Sequence, residues 1–329
     1  MKAFRVAVAV VLLLSPAALV AQRANLRLGT ILPANSVWDR SLKQMASAWQ
    51  KATDGRVRLR VQVTAGDEGT IIRRMRLSSP QVAALTQPGL SDIDEAFNVF
   101  GIPFFFESDA EALHVLETLT PRLREALAEN GLVLLNWGHG GWVHIFSAQP
   151  IRSIAELQTA KLFTVAGDEG MVRWYRENGF EPVPLELTDV LMGLNTGLID
   201  AYPSPPYGAL VFQWYRQTSH MLDIPLAPVF GATVMTQRAW GDIAEADREA
   251  LLEGAAAMQE YLFDVVPGQD EDAVAEMRKR GLTVSSVSEA EADAFRAVAE
   301  ELTSTWRGTR VPADIYDAAI AARDGYRAN

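Results

Sequence analysis

The sequence predicts an α/β protein with two lobes, and three observations support this fold class. First, the stretch 160–202 alternates short β-favouring runs with helical segments, and its two helices stop at Gly179 and Gly197. Such alternation indicates a parallel sheet, which binds ligands beyond the carboxyl ends of its strands. Second, a segment with few helix breakers runs from Trp240 to about Val266 and predicts one long helix. Third, no Gly/Ser or low-complexity linker separates the α/β segments, so we expect the two lobes to exchange strands.

The other elements follow from apolar periodicity along the chain. Alternation with a period of two predicts a strand at 57–63, and apolar residues three or four apart predict a helix from Trp38 to Trp49. Ser108 and Glu111 form a capping-box pattern ahead of another amphipathic helix. In chain order, further strands are predicted at 25–31, 82–86, 132–137, 143–146, 232–235 and 282–287, and further helices at 71–77, 289–304 and 312–327.

Three parts organise the chain: an export signal and two lobes. Lys2 and Arg5 precede the apolar run 6–14, and small residues follow up to Ala21, the expected cleavage point. The apolar run is too short for the alternative, a membrane anchor, which needs roughly 20 residues. After the signal at 1–21, we expect lobe I to comprise 22–145 and 235–280, and lobe II to comprise 146–234 and 281–329.

Composition excludes several classes of site. The chain has no cysteine, which excludes disulfides, cysteine nucleophiles, thiolate metal sites and a lipid-modified N-terminal cysteine. Its formal net charge of −11 argues against nucleic acid as a partner. The four histidines lack metal-ligand spacing, and the sequence has neither a G-x-S-x-G nucleophile motif nor a phosphate loop. We therefore expect no cofactor and no metal, and an exported enzyme with an acid/base pair stays only as an alternative.

Several short sequence segments, taken together in chain order, resemble those of the substrate-binding proteins of TRAP (tripartite ATP-independent periplasmic) transporters, the DctP-like family. They are Asp54-Gly55-Arg56-Val57, Ile102-Pro103-Phe104-Phe105-Phe106, Pro150-Ile151 with Lys161-Leu162, and Leu194-Asn195-Thr196-Gly197-Leu198-Ile199-Asp200. The resemblance implies a periplasmic binding protein fold, type II-like, with a long helix spanning both lobes. It also implies a periplasmic protein, not an enzyme, that delivers a solute to small and large membrane permease subunits. An additional periplasmic partner protein is compatible with this interpretation.

One departure from the family pattern concerns the ligand. Family members that bind organic acids have an arginine after the strand corresponding to Lys161-Leu162, and its guanidinium pairs with the ligand carboxylate. An ungapped count places Phe163 there, and the positions of a second arginine and of an asparagine fall near Val143 and Ser204. A buried carboxylate without a charged partner costs on the order of several kcal/mol. We therefore expect a ligand with substantial apolar or aromatic surface, whose burial is favourable.

The predicted ligand-binding residues are mostly aromatic. They are Phe163, Trp142, Trp38, Trp174, Tyr202, Arg173, His144 and Tyr207. The alternative for each tryptophan is ordinary core packing. Arg173 or His144 could replace the missing arginine and support ordinary organic-acid binding, although a solvated helix face and a structural role are their respective alternatives. Asp67 and Glu68 lie in a lobe I loop that could face the cleft, whereas Asp168 is expected to cap a helix.

Overall fold

Two β-sheets, one in each lobe, form the framework of the protein. The computed structural model describes residues 23–64 and 67–328, so the predicted export signal lies outside the described residues. The strands are β1 (Ala24–Thr30), β2 (Val57–Val63), β3 (Val82–Thr86), β4 (Leu132–Trp142), β5 (His144–Ser147), β6 (Lys161–Val165), β7 (Glu181–Leu185), β8 (Ala201–Ser204), β9 (His220–Leu222), β10 (Pro228–Thr236) and β11 (Thr283–Ser285). The helices are α1 (Val37–Ala52), α2 (Glu68–Arg76), α3 (Gln87–Ser91), α4 (Asp109–Glu129), α5 (Ile154–Gln158), α6 (Glu169–Glu177), α7 (Val190–Thr196), α8 (Pro206–Val211), α9 (Gln237–Gly241), α10 (Glu245–Lys279), α11 (Glu289–Thr303) and α12 (Ala313–Arg327).

Lobe I is built on a five-stranded sheet with the order β2-β1-β3-β10-β4. β1 runs parallel to β2 and β3, so β1 and β3 end at the same edge, at Thr30 and Thr86. β10 runs antiparallel to β3 and β4, and Gly231 near its start lies opposite Thr86. The carboxyl ends of the parallel strands therefore lie at the edge where the chain enters from the second lobe.

Lobe II is built on a six-stranded sheet with the order β11-β9-β5-β8-β6-β7. β6 runs parallel to β7 and β8, as the alternation of strands and helices in 160–202 predicts. β5 runs antiparallel to β8, and His144 at its start pairs with Ser204 at the end of β8. The ends of β6, β7 and β8 and the start of β5 therefore share one edge of this sheet.

Two strand connections and one long helix join the lobes. The Val143 N–H donates to the carbonyl of Ala227 at 2.9 Å, and the Val143 carbonyl accepts from the Leu226 N–H at 2.9 Å. α10 has 35 residues and packs against α1 and β4 of lobe I and against α8, which follows β8. This arrangement confirms the predicted two-lobed α/β fold with a long helix in contact with both lobes.

The long helix differs from its predicted bounds at both ends. Trp240 belongs to α9, a separate short helix, and α10 begins only at Glu245. The helix then continues through Pro267 to its end at Lys279. Because proline donates no backbone hydrogen bond, this continuation depends on tertiary packing, and Met277 near the end of the helix is completely buried.

The lobe boundaries also differ from the predicted ones. β10 belongs to the lobe I sheet from Pro228 onward, so the chain returns to lobe I earlier than position 235. β11 lies in the lobe II sheet, but α12 packs against α4 of lobe I. Trp306, Val311 and Ile315 belong to the same apolar core as the buried face of α4. The structure thus corrects the assignment of 281–329, because its last part belongs with lobe I.

Helix ends follow the local signals of the sequence. Gly179 and Gly197 follow α6 and α7 with φ values of 80° and 68°, a region where glycine has no Cβ penalty. Ser108 accepts from the Glu111 N–H at 3.2 Å, but the Glu111 carboxylate accepts from the Glu107 N–H, so the capping box is half formed. Within 23–64 and 67–328, no helix is long and apolar enough to cross a membrane.

Candidate ligand-binding site

Carboxylates from both lobes meet between the two sheet edges. Asp67 caps α2, and one of its oxygens lies 3.9 Å from the Arg73 guanidinium. Burial raises the pKa of Asp92, the negative charge of Asp67 raises it further, and Arg73 partly offsets both. Burial likewise raises the pKa of Glu186, with the negative charges of Asp67, Asp189 and Asp92 adding to it. Because Glu186 follows β7 of lobe II while Asp67 and Asp92 belong to lobe I, the cleft between the lobes is lined by acidic groups.

Two of the predicted aromatic residues meet at the junction of the lobes. The rings of Trp38 and Tyr207 lie 5.1 Å apart in an edge-to-face arrangement. The Tyr207 hydroxyl accepts from the Val37 N–H at 2.8 Å, and Trp38 Nε1 donates to the His139 carbonyl at 2.9 Å. Trp38 opens α1 of lobe I and Tyr207 follows β8 of lobe II. The pair therefore joins the lobes, and both side chains are less than one-tenth exposed.

Asp270 of α10 ties this junction to the long helix. Its Oδ1 accepts from the Tyr207 N–H at 2.8 Å, and its Oδ2 accepts from the Trp142 N–H at 3.2 Å. Burial raises the pKa of Asp270 to about 6, although these two hydrogen bonds lower it. A Cβ at Gly141 would overlap the Asp270 carboxylate, so the close approach of β4 to α10 requires glycine there. Trp142 also donates through Nε1 to Asp109 at 2.7 Å, which fixes the orientation of its ring.

His144 lines a cavity of about 570 Å³ between α10 and the lobe II sheet. Met221, Asp270 and Arg278 also line this cavity. The His144 Nδ1–H donates to the Leu222 carbonyl at 3.2 Å, and burial lowers the pKa of the imidazole. At neutral pH His144 is therefore uncharged, which argues against the alternative that it replaces an arginine as the anchor for a carboxylate.

Phe163 and Tyr202 lie in the interior of lobe II. They occupy neighbouring strands on the same face of the sheet, in one apolar cluster, and are 4% and 0% exposed. The Tyr202 ring stacks on Phe146 at 5.4 Å, and its hydroxyl lies 3.1 Å from Thr218 Oγ1. The predicted cleft role of Tyr202 is therefore corrected, because its ring is fully enclosed by the core. Phe163, at the position that the resemblance aligns with an arginine, places an apolar ring in the same core.

Trp174 and Arg173 lie on α6, at the side of lobe II that approaches lobe I. The Trp174 ring stacks on Phe180 at 6.0 Å and packs against the apolar clusters of both lobes. Trp174 is half-buried, whereas Arg173 beside it is exposed. Asp168 caps α6 as predicted, since its Oδ1 accepts from the Met171 N–H at 3.0 Å. Arg173 thus occupies the solvated face of the helix, which was the alternative to a ligand contact.

Two charged residues that the sequence analysis did not identify have central positions in this region. Asp270 lies on the buried stripe of α10, between Val266 and Ala273. A single acid within an apolar stripe of helical period is a signal that could have identified it. Arg310 forms an ion pair with Asp168, and the local sequence around 310 contains no signal for that contact.

Comparison with known proteins gives one family match and several structural matches. A family model described as bacterial extracellular solute-binding protein, family 7 (DctP), matches residues 28–308. The 2,3-diketo-L-gulonate-binding periplasmic protein YiaO of Escherichia coli K12 is 22% identical over 251 residues, which cover 74% of this chain and 75% of that protein.

Two solved structures share the fold. The sugar acid binding protein DctPAm from Advenella mimigardefordensis, in complex with galactonate, has a TM-score of 0.86 at 16% identity and covers 92% of this chain and 99% of its own. The Bordetella pertussis extracytoplasmic solute receptor DctP7, binding pyroglutamic acid, has a TM-score of 0.84 at 18% identity, with coverage of 92% and 99%. At these identities the two structures establish the fold alone.

Proposed function

Because the chain belongs to the DctP family, family 7 of the bacterial extracellular solute-binding proteins, we propose that it is the periplasmic solute-binding component of a TRAP transporter. The family and its structural neighbours are substrate-binding proteins, not enzymes. In this proposal the protein is exported, binds a small molecule in the cleft between its lobes and delivers it to the small and large permease subunits. Binding selects the closed arrangement, which the permease then recognises.

We further propose that the ligand has substantial apolar or aromatic surface and does not depend on an arginine–carboxylate pair. One observation carries this proposal: the position that the resemblance aligns with an arginine is occupied by Phe163, in the middle of β6, whose 4% exposed ring belongs to an apolar cluster and offers no cation to a carboxylate. The charged groups that face the cleft support it, because Asp67, Asp92 and Glu186 oppose a second carboxylate by like-charge repulsion. Arg310, whose guanidinium lies at the start of α6, already pairs with Asp168.

The competing proposal is ordinary organic-acid binding through a substitute anchor. The relatives favour it: DctPAm is described with galactonate and DctP7 with pyroglutamic acid. In this chain Arg173 is the substitute that sequence analysis identifies, and its exposure leaves the guanidinium free to turn toward a ligand.

A thermal-shift panel on the purified mature protein distinguishes the two proposals. One half of the panel contains dicarboxylates, keto acids and sugar acids, and the other contains aromatic acids, fatty acids and neutral apolar compounds. A ligand at 100 times its Kd adds about 2.7 kcal/mol to the free energy of unfolding, which is easily seen as a rise in Tm. A rise confined to the second half supports an apolar ligand, whereas a rise with small dicarboxylates or sugar acids contradicts it and favours the substitute anchor.

A further inference from the structure

An ion pair between Asp168 and Arg310 connects two segments that are far apart in the chain. Arg310 Nη1 donates to Asp168 Oδ1 at 2.7 Å, and Nη2 donates to Oδ2 at 2.6 Å. This is the two-pronged geometry in which a planar guanidinium binds a carboxylate most strongly. The side chains are only 27% and 32% exposed, so solvent screens the pair less than an ordinary surface ion pair.

The two partners are anchored on different lobes. Asp168 follows β6 of the lobe II sheet and caps α6. Arg310 lies in the segment between α11 and α12, and its carbonyl accepts from Asn98 Nδ2 of lobe I at 2.8 Å. Its guanidinium lies 4.9 Å from the ring centroid of Trp306, which is 4% exposed in the lobe I core. The ion pair therefore spans the boundary between the lobes.

The surroundings of the pair hold α6 in the same position. Met171 and Trp174, on α6, both pack against the apolar cluster of lobe I. Burial alone would raise the pKa of Asp168, but the hydrogen bonds from Arg310 and from the Met171 N–H hold it below its ordinary value. The carboxylate is thus ionised across the neutral range and stays available to Arg310.

We propose that Asp168 and Arg310 form an interlobe latch that sets how readily the two lobes separate. The latch stabilises the arrangement in which α6 lies against lobe I, and it is broken when the lobes move apart. The two residues are positioning residues: they act on the ligand through the population of the closed state. This inference relies on the proposed function only for the premise that the lobes open and close.

The test measures the distance between the lobes without any ligand. The chain has no cysteine, so Leu77→Cys and Met192→Cys introduce two unique sites for spin labels. These residues are 82% and 62% exposed and lie at the end of α2 and on α7. The N-terminal ends of α2 and α7 lie at Asp67 of lobe I and Asp189 of lobe II, and the negative charges of both raise the pKa of Glu186, so both ends lie close to that residue. The label distance therefore reports opening, and pulsed electron paramagnetic resonance gives its distribution.

Asp168→Asn is the variant of choice, because asparagine is also a good helix N-cap and preserves the start of α6. Arg310→Gln breaks the same pair from the lobe I side. The matched control is Asp317→Asn, which breaks an equally short two-pronged pair with Arg307, at 2.7 and 2.6 Å, inside the C-terminal segment. All variants are made in the full mature chain that contains both labels.

We expect Asp168→Asn and Arg310→Gln to raise the ratio of long to short distances roughly threefold to tenfold, the range for a partly buried ion pair. Asp317→Asn should leave the distribution of the parent protein unchanged. If both latch variants instead give the distribution of the control, the latch is overturned. Because no ligand is present, that result leaves the solute-binding proposal standing, and the thermal-shift panel tests that proposal separately.

Discussion

At the scale of single residues, buried carboxylates show how the environment changes an ordinary side chain. Glu68, for which the sequence allows a cleft contact, is the first residue of α2, but its side chain turns inward and is almost fully buried. Its Oε1 accepts from the Thr86 N–H and its Oε2 from the Thr86 hydroxyl, both at 2.7 Å. Burial raises the pKa of Glu68 from 4.5 to about 7, although these hydrogen bonds oppose the rise. Glu68 therefore joins α2 to the end of β3 and makes stability depend on pH.

The raised pKa of Glu68 makes the folded protein less stable as pH rises. Between pH 4.5 and about 7, the unfolded state releases the Glu68 proton and the folded state keeps it, so the free energy of unfolding falls as pH rises. The loss amounts to at most roughly 3 kcal/mol by pH 8, from about 1.4 kcal/mol per pKa unit. Glu68→Gln should flatten this part of the profile, as measured by urea unfolding from pH 5 to pH 8. Glu117→Gln, on an exposed face of α4, is the control, and an equal slope in both variants would exclude Glu68 as the cause.

Substitutions at Phe163 test whether this position determines the class of ligand that the protein binds. Phe163→Arg should lower Tm, because a charge buried in the lobe II core costs about 3 kcal/mol or more. If the position faces the cleft, galactonate or succinate should recover part of the lost Tm by pairing with the new guanidinium. Phe163→Leu is the apolar control and should show no such recovery. A lower Tm for Phe163→Arg with no response to either acid would mean that position 163 does not reach the ligand.

At the scale of elements, the contact between α1 and α10 depends on shape. Trp49 of α1 is completely buried, and its Nε1 donates to the Leu251 carbonyl of α10 at 2.9 Å. A Cβ at Gly254 would lie 2.9 Å from Trp49 Cδ1, which is closer than packed carbon atoms allow. The glycine therefore lets the two helices approach around one large ring, despite its low helix propensity.

Two alanine substitutions on α10 distinguish the effect of helix propensity on stability from the effect of side-chain packing. Gly268→Ala has open space for its Cβ and should raise the free energy of unfolding by about 0.5–1 kcal/mol through helix propensity. Gly254→Ala makes the same propensity change but must displace Trp49, so we expect a net loss of about 1 kcal/mol or more. Urea unfolding of both variants measures the difference. Equal stabilisation by the two substitutions would show that Trp49 can move without cost.

At the scale of the whole molecule, charges across the cleft should couple closure to pH. Burial raises the pKa of Glu186 of lobe II most, and the negative charges of Asp67, Asp189 and Asp92 raise it further. Burial also raises the pKa of Asp92 of lobe I, as do the charges of Asp67 and Asp168, while Arg73 opposes the rise in both groups. These two carboxylates therefore bind protons more readily when the lobes lie together than when the lobes are apart. Lowering the pH from 7 to 5 should shift the protein toward the closed state.

The label pair at positions 77 and 192 measures this shift without ligand. Short distances should become more frequent at pH 5 than at pH 7, and Glu186→Gln should weaken the response. Asp168, whose pKa lies below its ordinary value, stays ionised in this range. The ion pair between Asp168 and Arg310 is therefore the same at both pH values and does not cause the shift. If the distance distribution is the same at both pH values, repulsion between the carboxylates across the cleft does not limit closure.

The sequence by itself determined the features that depend on neighbouring residues. Apolar periodicity placed the strands and helices, and Gly179, Gly197 and Asp168 marked helix ends that the structure confirms. The alternation in 160–202 predicted the parallel part of the lobe II sheet. These signals can be read from the chain because helix capping, turn formation and strand alternation involve residues a few positions apart.

Only the tertiary structure decided which side chains meet across the lobes. Asp270 binds the backbone of Tyr207, 63 positions away, and Arg310 binds Asp168, 142 positions away. The sequence predicts Phe163 and Tyr202 as ligand-binding residues, but the register of β6 and β8 turns both rings into the core. Such contacts depend on how remote elements pack, and any one segment is compatible with many partners. The sequence therefore identifies the fold and the family pattern, whereas the ion pairs and buried acids that join the two lobes follow from packing.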